Sequence, residues 1–111
     1  MEISYKSAKI AKILNSSKKI SQNFGDKNGK KLIRRLAVLQ SAHCLAEVPP
    51  LKPDRCHELT GPRRGTFAVD LNHPFRLIFK PDHNPVPKKQ DGGIDLTKIT
   101  AIKILKVEDY H

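Results

Sequence analysis

The stretch "GTFAVDLNHPFRLIFK", residues 65–80, carries the strongest structural signal in this chain. Its apolar side chains occur at every second position in two consecutive runs: Phe67, Val69 and Leu71, then Phe75, Leu77 and Phe79. This alternation is typical of strands that bury one face and expose the other. The short connection "NHP" between the runs predicts a tight β-hairpin. The opposite face of the hairpin would then carry Ala68, Asp70, Arg76 and Lys80, and we expect it to form a polar, partly basic groove.

Two helices are predicted before the hairpin. In "SAKIAKIL", residues 7–14, apolar residues recur at helical spacing and Ser7 is a suitable N-cap. Gly25 suits a helix C-terminus, and Asp26 can cap a second helix that runs to about Ala46, before Pro49 and Pro50. The predicted core stripe of the second helix is Leu32, Ile33, Leu36, Leu39 and Leu45. The predicted basic residues on or beside its solvent face are Lys30, Lys31, Arg34 and Arg35.

The remaining segments complete an α+β pattern. Residues 2–5, "EISY", are compatible with an edge strand, while residues 51–65 and the polar insert at 81–97 are expected to be loops, the insert a flexible one. "KITAIKILKV", residues 98–107, reads as a strand whose apolar residues occupy both phases, which indicates cover on both faces or a β-bulge. We therefore predict a single domain, 1–111, with two N-terminal helices packed on one face of a small, mainly antiparallel sheet.

The charge of the chain indicates a polyanionic partner. Among 111 residues there are 21 Lys and Arg against 11 Asp and Glu, and residues 1–64 hold 14 of the basic and 5 of the acidic side chains. A generally basic, soluble surface is the alternative reading. No apolar run approaches the roughly 20 residues of a membrane span, so we expect a cytoplasmic protein with no membrane partner. The two cysteines, Cys44 and Cys56, are expected to be free thiols.

Several residues suited to RNA cleavage are expected to converge on the groove. Cleavage without a metal needs a base for the 2′-hydroxyl, an acid for the departing 5′-oxygen, and cations for the phosphorane. The candidates for this chemistry are His57, Arg76, Asp109, Tyr110 and His111. The candidates for nucleic-acid contacts are Arg63, Arg64, Lys80, Arg34 and Arg35. Each also has a structural alternative: His57 as a hydrogen-bonded anchor, for example, or Arg76 as the partner of Asp70 or Asp109.

No cofactor or metal is expected. The pairs "HC" at 43–44 and "CH" at 56–57 supply two Cys and two His, but their spacing fits no common zinc site. Walker, Rossmann, nucleophile-elbow and HExxH patterns are all absent.

Two stretches resemble the HigB branch of the RelE/ParE toxin superfamily, the toxins of type II toxin–antitoxin modules. They are "RCHELTGPRRGTFAVDLNHPFRLIF", residues 55–79, and the terminal "VEDYH", residues 107–111. The first is most specific in the pattern H-x-L-x-G-x-R-x-G, formed by His57, Leu59, Gly61, Arg63 and Gly65. The second is most specific in its final D-Y-H.

This resemblance implies a fold similar to microbial ribonucleases and ribosome-dependent cleavage of mRNA in the A site. It places catalytic roles on His57, Arg76 and the terminal acid, tyrosine and histidine. The implied partners are the 70S ribosome with its mRNA and a HigA-type helix-turn-helix antitoxin, with operator DNA bound only through the antitoxin complex. One departure is Thr60, where the family often has a lysine.

Two other functions stay open at this point. The related ParE branch acts on DNA gyrase and cuts no RNA, but it generally lacks both the terminal D-Y-H and the loop histidine. A non-catalytic RNA-binding module is the other alternative, and the small number of aromatic residues, Phe 4 and Tyr 2, argues against a base-stacking platform.

Overall fold

The predicted hairpin lies inside a five-stranded sheet in the computed structural model, which describes residues 1–109. The helices and strands are β1 (Glu2–Tyr5), α1 (Ala8–Leu14), α2 (Ser17–Ser41), β2 (His57–Glu58), β3 (Phe67–Asp70), β4 (Phe75–Pro81) and β5 (Ala101–Asp109). The strand order is β1-β5-β4-β3-β2, with β1 parallel to β5 and every other pair antiparallel. The predicted α+β class, the edge strand at 2–5 and the hairpin are confirmed. The short strand β2 was not predicted, and it converts part of the expected loop into an edge of the sheet.

The start of α1 and the break at Gly25 were predicted correctly, but the helix start at Ser17 and the helix end at Ser41 were not. The Ser7 side chain accepts a hydrogen bond from the Ile10 amide at 3.2 Å. The second helix starts nine residues before Asp26, because Ser16 caps it by accepting from the Lys19 amide at 3.3 Å. Gly25, at φ +79° and ψ 171°, is not helical and divides α2 into two helical stretches, so the predicted break at this residue is confirmed. This conformation favours glycine, since a side chain would be strained there.

The second helix also ends earlier than predicted, at Ser41. Ala42 is extended, and the Leu45 amide donates to the Ile99 carbonyl at 2.9 Å. A tertiary hydrogen bond therefore replaces the last helical turn, well before Pro49 could end it. Ile33, predicted in the core, is 40% exposed, whereas Leu32 and Leu39 are fully buried.

The core lies between the helices and one face of the sheet. The Phe67 and Phe79 rings stack in it with their centroids 5.9 Å apart. Its fully buried aliphatic residues from both layers include Leu32, Leu39, Leu77, Ile102 and Ile104. At about 25 cal/mol for each Å² of apolar surface removed from water, this contact is the main stabilising term of the fold.

A β-bulge explains the mixed apolar phases of the last strand. Ile78 pairs with Lys106 and Phe79 pairs with Ile104, so Leu105 is the extra residue. The bulge changes which face each side chain occupies. Ile104 therefore faces the helices, while Lys106 lies on the other face opposite Ile78.

The polar insert is irregular, but hydrogen bonds attach it to the start of β5 and join its own residues. The His83 Nε2 accepts from the amides of Thr100 and Ala101, at 3.1 and 3.3 Å, and Lys88 forms an isolated bridge with Ile94. Within residues 1–109, no helix is both long enough and apolar enough to span a bilayer.

Candidate functional site

The sheet face opposite the helices, called here the groove face, is polar at its edges and apolar in its centre. The register of β3, β4 and β5 places eight side chains on it: Ala68, Asp70, Arg76, Ile78, Lys80, Lys103, Lys106 and Glu108. Ala68 and Ile78 form a small buried cluster with Leu59, and Leu105 packs against it. The charged side chains of the groove face surround this apolar cluster, which excludes water from the centre of the face.

Three basic residues converge on the carboxylate of Glu108. Arg63 donates through both terminal nitrogens, at 3.0 and 2.8 Å. Arg76 donates from Nε at 2.9 Å, with its second nitrogen 2.8 Å from the same oxygen. The Lys106 ammonium lies 3.2 Å from the other oxygen. We call these four residues the Glu108 cluster.

The Glu108 cluster holds its guanidinium groups in fixed positions. The Arg76 and Glu108 side chains are only 9% and 11% exposed, so their charges interact with little screening. The hydrogen bonds from Arg63, then those from Arg76 and Lys106, lower the pKa of Glu108 to about 2 against the opposing effect of burial. Glu108 is therefore ionised throughout the neutral range and does not exchange protons there. It orients the two arginines.

His57 lies beside this cluster on strand β2, paired with Ala68 of β3. Its Nδ1 is 2.8 Å from the Arg55 carbonyl oxygen. Because a carbonyl only accepts, Nδ1 carries the proton in this contact. The remaining nitrogen, Nε2, is then the acceptor of the neutral ring, which suits a general base.

An ion pair that was not predicted from the sequence fixes the anchor of His57. Arg55 donates to both carboxylate oxygens of Asp70, at 2.7 and 3.0 Å. Arg55 has a positive φ of 46°, and its own carbonyl receives the His57 proton. The Arg55–Asp70 pair thus holds the imidazole indirectly, through the backbone that it immobilises.

His57, Arg63 and Arg76 line one cavity of about 250 Å³ on the groove face. The other lining residues are Glu58, Leu59 and Thr60. The cavity therefore joins one imidazole and two oriented guanidinium groups, which could accept a proton and bind an anion at the same place. All three of these residues were predicted from the sequence, whereas Glu108, which connects the two arginines, was not.

The strand register at the end of β5 differs from our expectation for Asp109. Asp109 pairs with Phe75, so strand alternation places its side chain on the helix-facing side. Glu108, one residue earlier, pairs with Arg76 and lies on the groove face. Arg76 is thus bound to Glu108, a partner that we did not predict. Tyr110 and His111 lie outside the described residues, so their catalytic assignment stays a prediction.

The predicted nucleic-acid contacts separate into exposed and buried residues. Arg34 on α2, Arg64 and Lys80 are exposed, as a contact residue must be. Arg35 was expected on or beside the solvent face, and this was wrong, because it is 6% exposed. Its Nε donates to the Asp70 carbonyl at 2.7 Å and lies 3.5 Å from the Asp54 carboxylate. Arg35 therefore joins α2 to the loop and the sheet.

Neither cysteine lines the cavity formed by His57, Arg63 and Arg76. Cys44 and Cys56 are free. Burial, together with the nearby Asp54 charge, raises the pKa of Cys56 to about 12, so it is protonated and a poor nucleophile. Within residues 1–109, no three His, Cys, Asp or Glu side chains are grouped so that they could hold a metal ion.

No known family model matches this chain, and no curated protein matches it either. Its function is therefore inferred from the residues of the groove face and from the charge around it.

Proposed function

We propose that this chain is an endoribonuclease that cleaves mRNA on the ribosome, the toxin of a type II toxin–antitoxin module. The observation that carries the proposal is the cavity shared by His57, Arg63 and Arg76. The motif around His57 and the terminal D-Y-H, which resemble HigB-type toxins, support the same reading.

In this proposal, His57 is the group that accepts the proton of the 2′-hydroxyl. Its Nδ1–H bond to the Arg55 carbonyl leaves Nε2 for this task. The 2′-oxygen then attacks the adjacent phosphorus, and the bond to the 5′-oxygen of the next nucleotide breaks. A positioned base of this kind contributes about 10²–10⁴-fold to the rate.

Arg63 and Arg76 would stabilise the negative charge of the phosphorane. They are held at a common point by Glu108, so they need little reorganisation when charge develops. Glu108 occupies the anion position between them in the structure, and the phosphate would approach from the cavity side. An acid must also protonate the leaving 5′-oxygen, and the residues predicted to share proton transfer with His57 are Asp109, Tyr110 and His111.

The helices would supply the attraction to the ribosome. Residues 6–41, called here the helical layer, contain ten basic residues and one acidic residue. Among residues 1–109, the ion pairs involve only one residue of this layer, Arg35. Exposed cations outside ion pairs favour binding to RNA phosphates with a strong dependence on salt. A helix-turn-helix antitoxin would silence the toxin by blocking this approach to the ribosome.

Translating ribosomes with a defined mRNA test the proposal. The wild-type chain should cut the message in the A site, and His57→Ala should lower the single-turnover rate by about 10²–10⁴-fold. His43→Ala is the matched control, since His43 is an exposed histidine that does not line the cavity, and this variant should cut normally.

Two results would overturn the proposal. One is the absence of A-site cleavage by folded wild-type protein. The other is cleavage that continues at the wild-type rate in His57→Ala. A supercoiling assay with DNA gyrase should show no inhibition, and inhibition without mRNA cleavage would favour the ParE-like alternative.

A further inference from the structure

A second cavity, of about 590 Å³, lies next to the His57 cavity and shares Glu58 with it. We call it the insert cavity, because one wall is the polar insert at 86–94 and the other is the segment from Glu58 to Gly65. Its volume is within the range of about 300–1,000 Å³ that small-molecule sites occupy. Nothing in the proposed cleavage chemistry uses it.

The wall supplied by the insert is preformed. The Lys89 amide donates to the Gly93 carbonyl at 2.7 Å, and the Gly92 amide donates to the Lys89 carbonyl at 3.0 Å. Gly92 has a φ of +90°, so the turn depends on a glycine at this position. Val86 and Ile94, which are half-buried and pack against the core, give this wall an apolar surface. An apolar surface of this kind is suited to the face of a nucleobase.

Glu58 lines the insert cavity, and its carboxylate is only partly hydrogen-bonded. One carboxylate oxygen, Oε2, accepts from the Gly65 amide at 3.0 Å. Within residues 1–109, no donor is hydrogen-bonded to the other oxygen, Oε1. The second carboxylate of the cavity, Asp91, is already used, because it accepts from the Gly93 amide at 2.8 Å and lies 3.8 Å from the Lys89 ammonium. Glu58 is therefore the acidic group available to a ligand.

Two basic residues complete the lining of the cavity. Arg64 and Lys88 are both exposed, and neither belongs to an ion pair in the described part of the chain. They could donate to a carbonyl oxygen of a base or to a neighbouring phosphate. The cavity thus combines one acidic acceptor, two basic donors and an apolar wall.

This combination matches guanine better than adenine or cytosine. An ionised carboxylate only accepts hydrogen bonds. Guanine offers two adjacent donors on its Watson–Crick edge, N1–H and the N2 amine, with the O6 acceptor beside them. Adenine and cytosine place a ring-nitrogen acceptor next to their single amine, so that acceptor would face the carboxylate with an unfavourable lone-pair contact. RNA-binding proteins commonly read unstacked bases at these edges.

We propose that the insert cavity is a guanine-binding subsite in which Glu58 accepts hydrogen bonds from N1–H and N2–H of the base. The inference rests on the proposed cleavage function, and it adds a sequence preference to it. Because Glu58 lines both cavities, a guanine in the insert cavity would belong to a nucleotide adjacent to the phosphodiester at His57. Glu58 is then a specificity-determining residue.

Cleavage of ribosome-bound mRNA with single-base changes around the cut site tests the preference. Messages with guanine at one flanking position should be cut about 5- to 150-fold faster than those with adenine there, the usual discrimination of a bidentate contact. A message with inosine, which lacks the N2 amine, at this position should be cut at a rate between those of the guanine and adenine messages. Glu58→Gln should remove the difference, since its amide still accepts from Gly65 but replaces one acceptor with a donor. Glu47→Gln is the control, because Glu47 accepts from the His43 amide at 2.9 Å and lines neither cavity.

Binding of free nucleotides separates this inference from the proposed function. Titration with guanosine and adenosine 5′-monophosphates, followed by amide chemical shifts, needs no ribosome and no cleavage. Tighter binding of the guanosine nucleotide that disappears in Glu58→Gln supports the subsite even if no message is cut. Equal binding of the two nucleotides, or a preference that persists in Glu58→Gln, overturns the subsite even if cleavage occurs.

Discussion

The helical layer and the groove face both carry an excess of basic residues, but the basic side chains of the helical layer are mostly solvated and those of the groove face are mostly ion-paired. In the helical layer the lysines are mostly exposed, and Arg35 is its only member in an ion pair among residues 1–109. On the groove face Arg63 and Arg76 are fixed by Glu108. Solvated cations attract a polyanion from a distance, whereas oriented guanidinium groups stabilise charge at one point. Under the proposed function, the net charge of the helical layer would attract RNA, while the fixed guanidinium groups of the groove face would take part in the chemistry.

The largest expected effect comes from removing a fixed charge. Arg76→Ala should lower the single-turnover cleavage rate on ribosomes by about 10²–10³-fold, because a donor to the phosphorane is removed. The cleavage rate of Arg76→Lys should lie between those of the wild type and Arg76→Ala, because lysine keeps the charge but lacks the planar guanidinium group. The control is Lys98→Ala, an exposed cation outside both cavities. Circular dichroism would verify folding, and a folded Arg76→Ala that cuts at the wild-type rate would contradict the assignment.

The adjacent residues Arg34 and Arg35 of α2 should differ in their effect on stability, because Arg34 is exposed and Arg35 is buried. Arg35→Ala leaves the buried Asp54 carboxylate without its partner, and such changes cost about 3–5 kcal/mol of unfolding free energy. Arg34→Ala should change it by less than about 0.5 kcal/mol. Urea denaturation of both variants measures the difference, and similar losses of stability would contradict a structural role for Arg35 alone.

A smaller effect is expected when the Glu108 cluster is titrated. The pKa of Glu108 is lowered to about 2 in the folded state, below the ordinary value of a glutamate near 4.3. Its ionised form therefore stabilises the fold fully above about pH 4.3, and this contribution disappears as the pH falls toward 2. The unfolding free energies of wild-type protein and Glu108→Gln should approach each other over that range. A difference that stays constant from about pH 6 to pH 2 would be inconsistent with the cluster.

The smallest effect per substituted residue is expected for the lysines of the helical layer, and it concerns ribosome binding. Replacing the exposed residues Lys9, Lys12 and Lys18 with glutamine should weaken ribosome binding. If each of these lysines neutralises one phosphate, the slope of log K against log salt should fall by roughly 0.7–0.9 for each lysine replaced. Binding titrations at several salt concentrations measure this slope. An unchanged slope would place the RNA-binding surface elsewhere.

Much of the fold could be predicted because its signals are local. The alternation of Phe67, Val69 and Leu71 and the N-cap Ser7 depend on neighbours within a few residues, and both predictions are confirmed. Capping by Ser16 is also a local signal, but it was missed, whereas the break predicted at Gly25 is confirmed. A glycine with positive φ can kink a helix as well as end it.

The site was less predictable, because its decisive contacts join distant segments. Arg35 is buried by groups from residues 53–54 and 70, which no local pattern indicates. The side of β5 on which Glu108 or Asp109 lies depends on the bulge at Leu105. One signal was present, since Glu108 is in phase with Lys106 and would complement a basic face. The roles of Tyr110 and His111 stay predictions.

Steady-state values of KM and kcat for cleavage on translating ribosomes test whether the helical layer serves binding and the groove face serves catalysis. The triple glutamine variant of Lys9, Lys12 and Lys18 should raise KM and leave kcat near the wild-type value. Arg76→Ala should lower kcat by about 10²–10³-fold with little change in KM. If both variants instead change the same parameter by similar factors, the division between a binding helical layer and a catalytic groove face is wrong.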